Sequence, residues 1–337
     1  MITLGIESTA HTLGIGVVEN GKVLSNTMDT YKPIGEGIYP RKAADHHSEV
    51  FVSVLQESLS KAKISIDDID LISFAQGPGI GAPLRVGIIG AKYLAARYGK
   101  KVIGVNHAYA HVKISEHLTE FADPLVLYVS GGNTQILIEE PHEKSSKHHG
   151  SRLHVLGETL DIGIGNLFDT FGRAIGMEYA HGAVLAKLAE GGTYVELPYT
   201  VKGMNLVFSG LLTQAEKLVR EGTGSKEDVA YSLFETSFAM LCEATERALF
   251  LTKKKKLIVC GGVAQNRKLQ EMLKTMCKED GVRFGVAPDE FNRDNGAMIA
   301  YAGEVLFKRY GTRPLQYWKP IQNYRVEMIK GIMTGKN

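Results

Sequence analysis

The sequence predicts an α/β protein with mixed sheets and helices on their faces, arranged as two lobes. Short apolar strands alternate with segments of helical period along the whole chain. A strand, small polar turn, strand unit at Leu4-Gly5-Ile6-Glu7-Ser8-Thr9 recurs as Leu127-Tyr128-Val129-Ser130-Gly131-Gly132, the mark of an internal pseudo-repeat. At 337 residues, 44% of them hydrophobic, the chain can bury one large core or two medium ones.

The elements follow in order. Ile2–Glu7 reads as a strand, residues 13–18 as a second, and Asn20-Gly21 as a hairpin turn into a third over residues 22–26. Val50, Phe51, Val54, Leu55 and Leu59 recur at helical spacing within residues 47–62. Residues 71–75 form a buried-type strand, and the Gly77–Gly81 loop opens a helix at Pro83 that runs to about Tyr98. Residues 102–105 form another strand, and Asn106 is placed to cap a helix over residues 107–118. Residues 124–130 and 134–138 are strands around the Gly131-Gly132-Asn133 turn. Further on, Lys256–Cys260 and Arg283–Val286 read as strands and residues 261–277 as a helix. The lobes are expected at residues 1–120 and 121–300, with a last helix over about 292–312 near their junction and a tail or linker over 313–337.

A net charge of +2 does not announce a nucleic-acid binder, though it is compatible with a local basic face. Cys242, Cys260 and Cys277 share no short spacing, which argues against a disulfide framework and a cysteine metal site. No basic stretch precedes an apolar run at the start, and no apolar run is long enough to span a bilayer. These features lead to the expectation of a soluble, cytoplasmic protein.

The sharpest chemical feature is His107-Ala108-Tyr109-Ala110-His111. Histidines at i and i+4 share one helix face and suit a metal ion, although the same spacing also arises by coincidence on surface and core helices. A zinc protease would place a glutamate base directly after the first histidine, and alanine stands there. Ser130–Thr134 offers unobstructed backbone N–H groups for phosphate, or forms an ordinary hairpin turn. Gly261–Asn266 joins a strand to a helix, with Asn266 either capping it or meeting a nucleobase or ribose. Asp294 at the start of an apolar helix suits an N-cap, a metal ligand, or both. Asp161 and Asp169 flank the Gly163-Ile164-Gly165 turn, and a buried carboxylate there needs a partner such as a nucleotide hydroxyl. Neither a dinucleotide fingerprint nor a P-loop lysine pattern occurs. His46-His47 and His148-His149 are adjacent pairs, which do not face one way on a helix, and the second reads as a solvated loop.

Together these segments resemble one family over nearly the whole chain. The carriers are residues 5–9, Pro40-Arg41-Lys42-Ala43-Ala44-Asp45-His46-His47, Gly77-Pro78-Gly79, His107–His111, residues 128–135 and 157–161, Phe208-Ser209-Gly210, Gly261–Asn266 and residues 294–300. This is the TsaD/OSGEP family, and Tyr128 with the Asp161–Asn166 run resembles its archaeal and eukaryotic branch, the catalytic subunit of KEOPS. The resemblance implies a fold of the acetate and sugar kinase, heat-shock chaperone and actin (ASKHA) superfamily. It implies transfer of threonylcarbamoyl from threonylcarbamoyl-AMP to the adenosine beside the anticodon of tRNAs that decode ANN codons. It also implies one iron or zinc ion, Fe(2+) or Zn(2+), held at His107, His111, Tyr128 and Asp294, and an adenine nucleotide, ATP or AMP included, at Tyr128, Val129, Ser130, Gly131, Gly132, Asp169, Gly182 and Asn266. The expected partners are a small kinase/ATPase, a dimerising subunit and a tRNA-end-binding subunit. Some archaeal relatives are fused to a kinase domain, so a separate kinase partner, or a chain cut from a fusion, is expected here.

The chain departs from the family where Pro-Gly-Gly is usual and Ala180-His181-Gly182 stands, and where Ala186 replaces a usual carboxylate. Glu7, His11 and Asp45 are the candidates for a general base. Rival readings are an ASKHA small-molecule kinase, a metal-dependent peptidase and a scaffold that binds nucleotide without catalysis.

Overall fold

A computed structural model describes residues 1–33, 37–139 and 152–335. The His148-His149 pair lies outside the described residues. Three antiparallel strands open the chain: β1 (Ile2–Glu7), β2 (Thr12–Glu19) and β3 (Lys22–Thr30). Asn20 and Gly21 both take positive φ in the turn between β2 and β3, as the Asn-Gly pair requires. Next come α1 (Pro40–Ala62), β4 (Leu71–Gly77), α2 (Gly81–Tyr98), β5 (Lys101–Asn106) and α3 (His107–Thr119). The pattern then restarts with β6 (Leu125–Val129), β7 (Thr134–Glu139), β8 (Leu153–Glu158), α4 (Ile164–Ala174) and α5 (Gly182–Leu188). A two-stranded ribbon of β9 (Val201–Lys202) and β10 (Asn205–Leu206) leads to α6 (Ser209–Arg220), α7 (Lys226–Thr252), β11 (Lys256–Cys260), α8 (Arg267–Glu279) and β12 (Arg283–Val286). The chain closes with α9 (Asp289–Asn292), α10 (Gly296–Tyr310) and α11 (Ile329–Thr334).

The two main sheets share one plan. One runs β3-β2-β1-β4-β5, the other β8-β7-β6-β11-β12, each a three-stranded antiparallel meander extended by two parallel strands. The pseudo-repeat in the sequence is therefore a repeat of topology.

Helix α3 packs between the sheets, against β4 and β5 on one side and β6, β11 and β12 on the other. Strand periodicity explains how the second sheet serves two cores. Leu125, Leu127 and Val129 of β6, with Leu257 and Val259 of β11, face a core built with α4 to α8. Val126 and Tyr128, with Ile258 and Cys260, face α3 and join the core of the first sheet. Helix α10 returns to pack on β1, β2 and β4.

Residues 313–337, expected as a tail or linker, are anchored to the first sheet as far as the structure describes them. Trp318 is fully buried, meets Phe74 edge-on at 6.2 Å, and donates its indole N–H to the Arg313 carbonyl at 3.2 Å. The Ile321 amide bonds the Gln76 carbonyl at 2.8 Å, and the Asn106 side chain donates to the Tyr324 carbonyl at 2.8 Å. A segment without helical or strand period hides its anchoring, because isolated aromatics such as Trp318 and Tyr324 hold it rather than a repeating face. Among the described residues no helix is long and apolar enough to cross a membrane.

Candidate metal and nucleotide site

The site forms where the end of β5 becomes the start of α3. Asn106 caps that helix, its side-chain oxygen accepting the Tyr109 amide at 3.0 Å. The cap places His107 and His111 on consecutive turns, with ring centroids 4.8 Å apart and both rings buried. Asp294 arrives from the loop before α10. The expected N-cap role falls instead to Asn295, which accepts the Met298 amide at 2.9 Å. Asp294 is thereby left for the imidazoles: its Oδ1 lies 3.4 Å from Nε2 of His107 and 3.4 Å from Nε2 of His111.

These three ligand atoms lie within 4.8 Å of one another. Two ligands at about 2.1 Å from a tetrahedral ion stand about 3.4 Å apart, so the two histidine–aspartate separations suit first-row metal coordination. Tyr128 lies against His111, ring centroids 5.5 Å apart, and its buried hydroxyl has no hydrogen-bond partner among the described residues. A fourth donor without a protein partner beside three convergent ones fits a bound cation.

Burial works against a charge on His107, yet Glu7, Tyr128 and Asp294 outweigh it and hold its proton affinity well above the ordinary imidazole value. Burial also opposes the Asp294 charge, but His107 and the hydrogen bonds from both histidines hold its carboxyl well below the usual range. His111, with burial dominant, is pushed down and stays neutral, the form that ligates a metal.

Glu7, one of the expected bases, is wholly buried and engaged. Its carboxylate accepts the Thr9 amide at 2.6 Å, the Thr9 hydroxyl, and Nδ1 of His107 at 2.9 Å. It orients His107 so that Nε2 faces Asp294, a carboxylate–imidazole pair common behind metal ligands. Thr9 is a site residue that sequence reasoning missed. Asp45 sits on the exposed side of α1 with no hydrogen bond or ion pair to a described residue. His11 is half-buried in the turn before β2, and its buried Nδ1 has no partner among the described residues.

The glycine turn after β6 is narrower as a cradle than its sequence suggests. The Ser130 amide bonds the Asn133 carbonyl at 2.8 Å, and the Asn133 amide bonds the Ser130 hydroxyl at 3.2 Å. The exposed Gly131 and Gly132 amides have no partner among the described residues. Gly163 and Gly165 press against this turn, and a Cβ on Gly163 would stand 2.4 Å from the Gly131 carbonyl oxygen. Val129 is buried in β6, directly before the turn. Asp169 finds a protein partner rather than a free lone pair, accepting the Gly182 amide at 3.0 Å, and burial pushes its carboxyl up. Asn266 caps α8, its oxygen accepting the Lys268 and Leu269 amides at 3.0 and 3.3 Å.

Asp161 is structural. It accepts the Phe208 and Ser209 amides at 3.0 and 2.7 Å and so caps α6 from another segment. Partial burial opposes its charge, and these bonds with that from Ile162 overcome it and hold the carboxyl at about 2. Asp161→Ala is expected to cost about 1 kcal/mol, the usual worth of a cap. A carboxyl depressed in the folded state stabilises above its unfolded value of about 3.9 and loses that contribution as pH falls towards 2. In urea unfolding, the gap between wild type and variant should therefore be full at pH 7 and mostly closed at pH 2.5.

Two similarly built sheets and a helix seated between them define an ASKHA-type protein, with a candidate metal site at His107, His111 and Asp294. The solved structures agree on the fold: HypF of T. kodakarensis matches 90% of this chain and 47% of its own at a TM-score of 0.60 and 14% identity. The activator of 2-hydroxyisocaproyl-CoA dehydratase from Clostridium difficile matches 90% of this chain and 95% of its own at a TM-score of 0.50 and 12% identity. The family model "TsaD: tRNA N6-adenosine threonylcarbamoyltransferase" matches residues 21–301, and the chain belongs to that family of transferases. A tRNA N6-adenosine threonylcarbamoyltransferase of Thermococcus sibiricus is 51% identical over 309 residues, 91% of this chain and 92% of the relative. A probable bifunctional tRNA threonylcarbamoyladenosine biosynthesis protein of Methanocaldococcus jannaschii is 46% identical over 332 residues, 98% of this chain but 60% of the relative.

Proposed function

We propose that this chain transfers threonylcarbamoyl from threonylcarbamoyl-AMP to the exocyclic amine of the adenosine beside the anticodon, in tRNAs that decode ANN codons. The observation that carries the reading within the family is the convergence of His107, His111 and Asp294, 3.4 Å from nitrogen to oxygen, at the seam of the two sheets. That amine is a weak nucleophile because its lone pair is delocalised into the ring, so donor activation and positioning must supply the acceleration.

His107, His111, Asp294 and the Tyr128 hydroxyl would hold one Fe(2+) or Zn(2+) ion, which supplies Lewis acidity towards the carbonyl or threonyl oxygens of the donor. The Gly131 and Gly132 amides donate to the phosphate, with Ser130 keeping the turn in shape. Tyr128, Val129, Asp169, Gly182 and Asn266 complete the nucleotide surface; Ala186 brings no acceptor for the ribose. Residues 1–120 and 121–300 act as the two lobes, with α10 at their junction. The partners are a small kinase/ATPase, a dimerising subunit and a tRNA-end-binding subunit of KEOPS, in the cytoplasm.

Reconstitution with threonylcarbamoyl-AMP, unmodified tRNA and these partners is expected to yield threonylcarbamoyladenosine by nucleoside mass spectrometry. Binding should weaken steeply with salt, because phosphates supply most RNA contacts. Phosphorylation of a small molecule without tRNA, and no modified nucleoside with every component present, would overturn the reading.

A further inference from the structure

The loop between α4 and α5 carries two rings that neither the metal cluster nor the glycine turn uses. Tyr179, half-buried, and His181, exposed, lie with ring planes 5° apart and centroids 5.6 Å apart. Residues two apart on an extended chain point to the same side, and His181 is extended at φ −140° and ψ 138°. Near-parallel planes at that separation describe an offset stack, so Tyr179 limits the swing of the imidazole.

The tautomer of His181 is fixed by its own backbone. Nδ1 accepts the Ala183 amide at 3.2 Å, which only an unprotonated ring nitrogen can do. Burial, with His11 and Arg293, lowers the proton affinity of the ring against the pull of Asp169, so it rests neutral. The one ring proton therefore sits on Nε2, which has no hydrogen-bond partner among the described residues.

A short series of backbone bonds ties this ring to the glycine turn after β6. Helix α4 begins against that turn: the Gly165 amide bonds the Ser130 carbonyl at 3.1 Å, and the Asn166 amide bonds the Gly131 carbonyl at 2.9 Å. Asp169 follows Asn166 by three residues, about 5 Å further along the helix, and accepts the Gly182 amide at 3.0 Å. His181 thus stands about one helix turn beyond the Gly131 and Gly132 amides. In a 5′-nucleotide the group next to the phosphate is the ribose, whose hydroxyl oxygens accept hydrogen bonds. Ala186, one turn into α5, has only a methyl group to offer it.

We infer that His181 reads the ribose of the bound nucleotide, its Nε2–H donating to a 2′- or 3′-hydroxyl oxygen, and that Tyr179 positions the ring. This rests on the nucleotide reading above. His181 touches the ligand, whereas Tyr179 acts only through His181.

The test is equilibrium binding of AMP and of 2′,3′-dideoxy-AMP to the purified full chain, by calorimetry. Wild type should prefer AMP. His181→Asn keeps an oxygen to cap α5 and removes both the ring and the outward N–H. It should lower AMP affinity by about 5-fold, the usual worth of one hydrogen bond, and leave the dideoxy analogue unchanged. Tyr179→Phe keeps the stacked ring and should match wild type. Tyr179→Ala frees the imidazole and should weaken AMP by about 2-fold, again without effect on the analogue. Undiminished AMP binding by His181→Asn overturns the contact, and an equal loss on both ligands overturns its assignment to the ribose. Wild-type preference in Tyr179→Ala overturns the positioning role. Failure of the wild type to bind either nucleotide removes the nucleotide reading instead.

Discussion

His111→Ala is expected to lose the bound metal and with it at least about 100-fold in tRNA modification, since Lewis-acid stabilisation is worth several kcal/mol and 1.4 kcal/mol is tenfold. The imidazole removed lies 3.4 Å from Asp294 and against Tyr128, so the change leaves a remnant of His107, Asp294 and the Tyr128 hydroxyl. The fold should survive. His111 is fully buried and its Nδ1 makes no hydrogen bond to a described residue, so apart from the bond to Asp294 the loss is one of packing, about 2–5 kcal/mol by analogy with other buried truncations. Metal analysis of the purified protein, nucleoside mass spectrometry of the tRNA and a thermal melt separate the three effects. Asp294→Asn sharpens the comparison, because it keeps the side-chain shape while removing the charge that offsets a cation. Wild-type metal content and activity in His111→Ala would remove the site assignment outright.

Local rules in the sequence account for the elements that position this site. The Asn106 cap, the i and i+4 histidines and the glycine turn after β6 are all encoded within a few residues of where they act. What stayed hidden depends on contacts distant in sequence. Asp294 and Asn295 are both good capping residues, and only the three-dimensional path of the chain decides that Asn295 caps while Asp294 turns to α3, 183 positions away from its His111 partner. Glu7 read as a free base because Nδ1 of His107, 100 positions on, was not yet beside it. Asp29 drew no notice, because its pairing with His46 runs between α1 and β3. The strand glycines 5, 14 and 16 carried no signal for the site, yet they fix where Asp294 stands.

That last dependence gives the other large expected effect. Gly5 and Gly16 are cross-strand partners in β1 and β2, and α10 lies directly on their backbones. A Cβ on Gly16 would stand 2.4 Å from the Ala297 nitrogen, and one on Gly5 would stand 2.2 Å from the Ala300 nitrogen. Neither obstacle is a side chain that can swing away. Gly16→Ala must push α10 off the sheet by about 1 Å to reach ordinary contact, or distort the strand, at a cost of about 2–4 kcal/mol. Asp294 sits two residues before α10 begins, so it moves with the helix while His107 and His111 stay with α3. Metal ligands tolerate displacements of only about 0.2 Å, so affinity should fall by about 10- to 100-fold even though no ligand is altered. Denaturant unfolding with metal titration reads both, and Gly210→Ala, where a Cβ meets nothing within 4 Å in the first turn of α6, should change neither appreciably. If Gly16→Ala matched wild type in stability and metal binding, backbone contact between helix and sheet would not be what holds the aspartate against the two imidazoles.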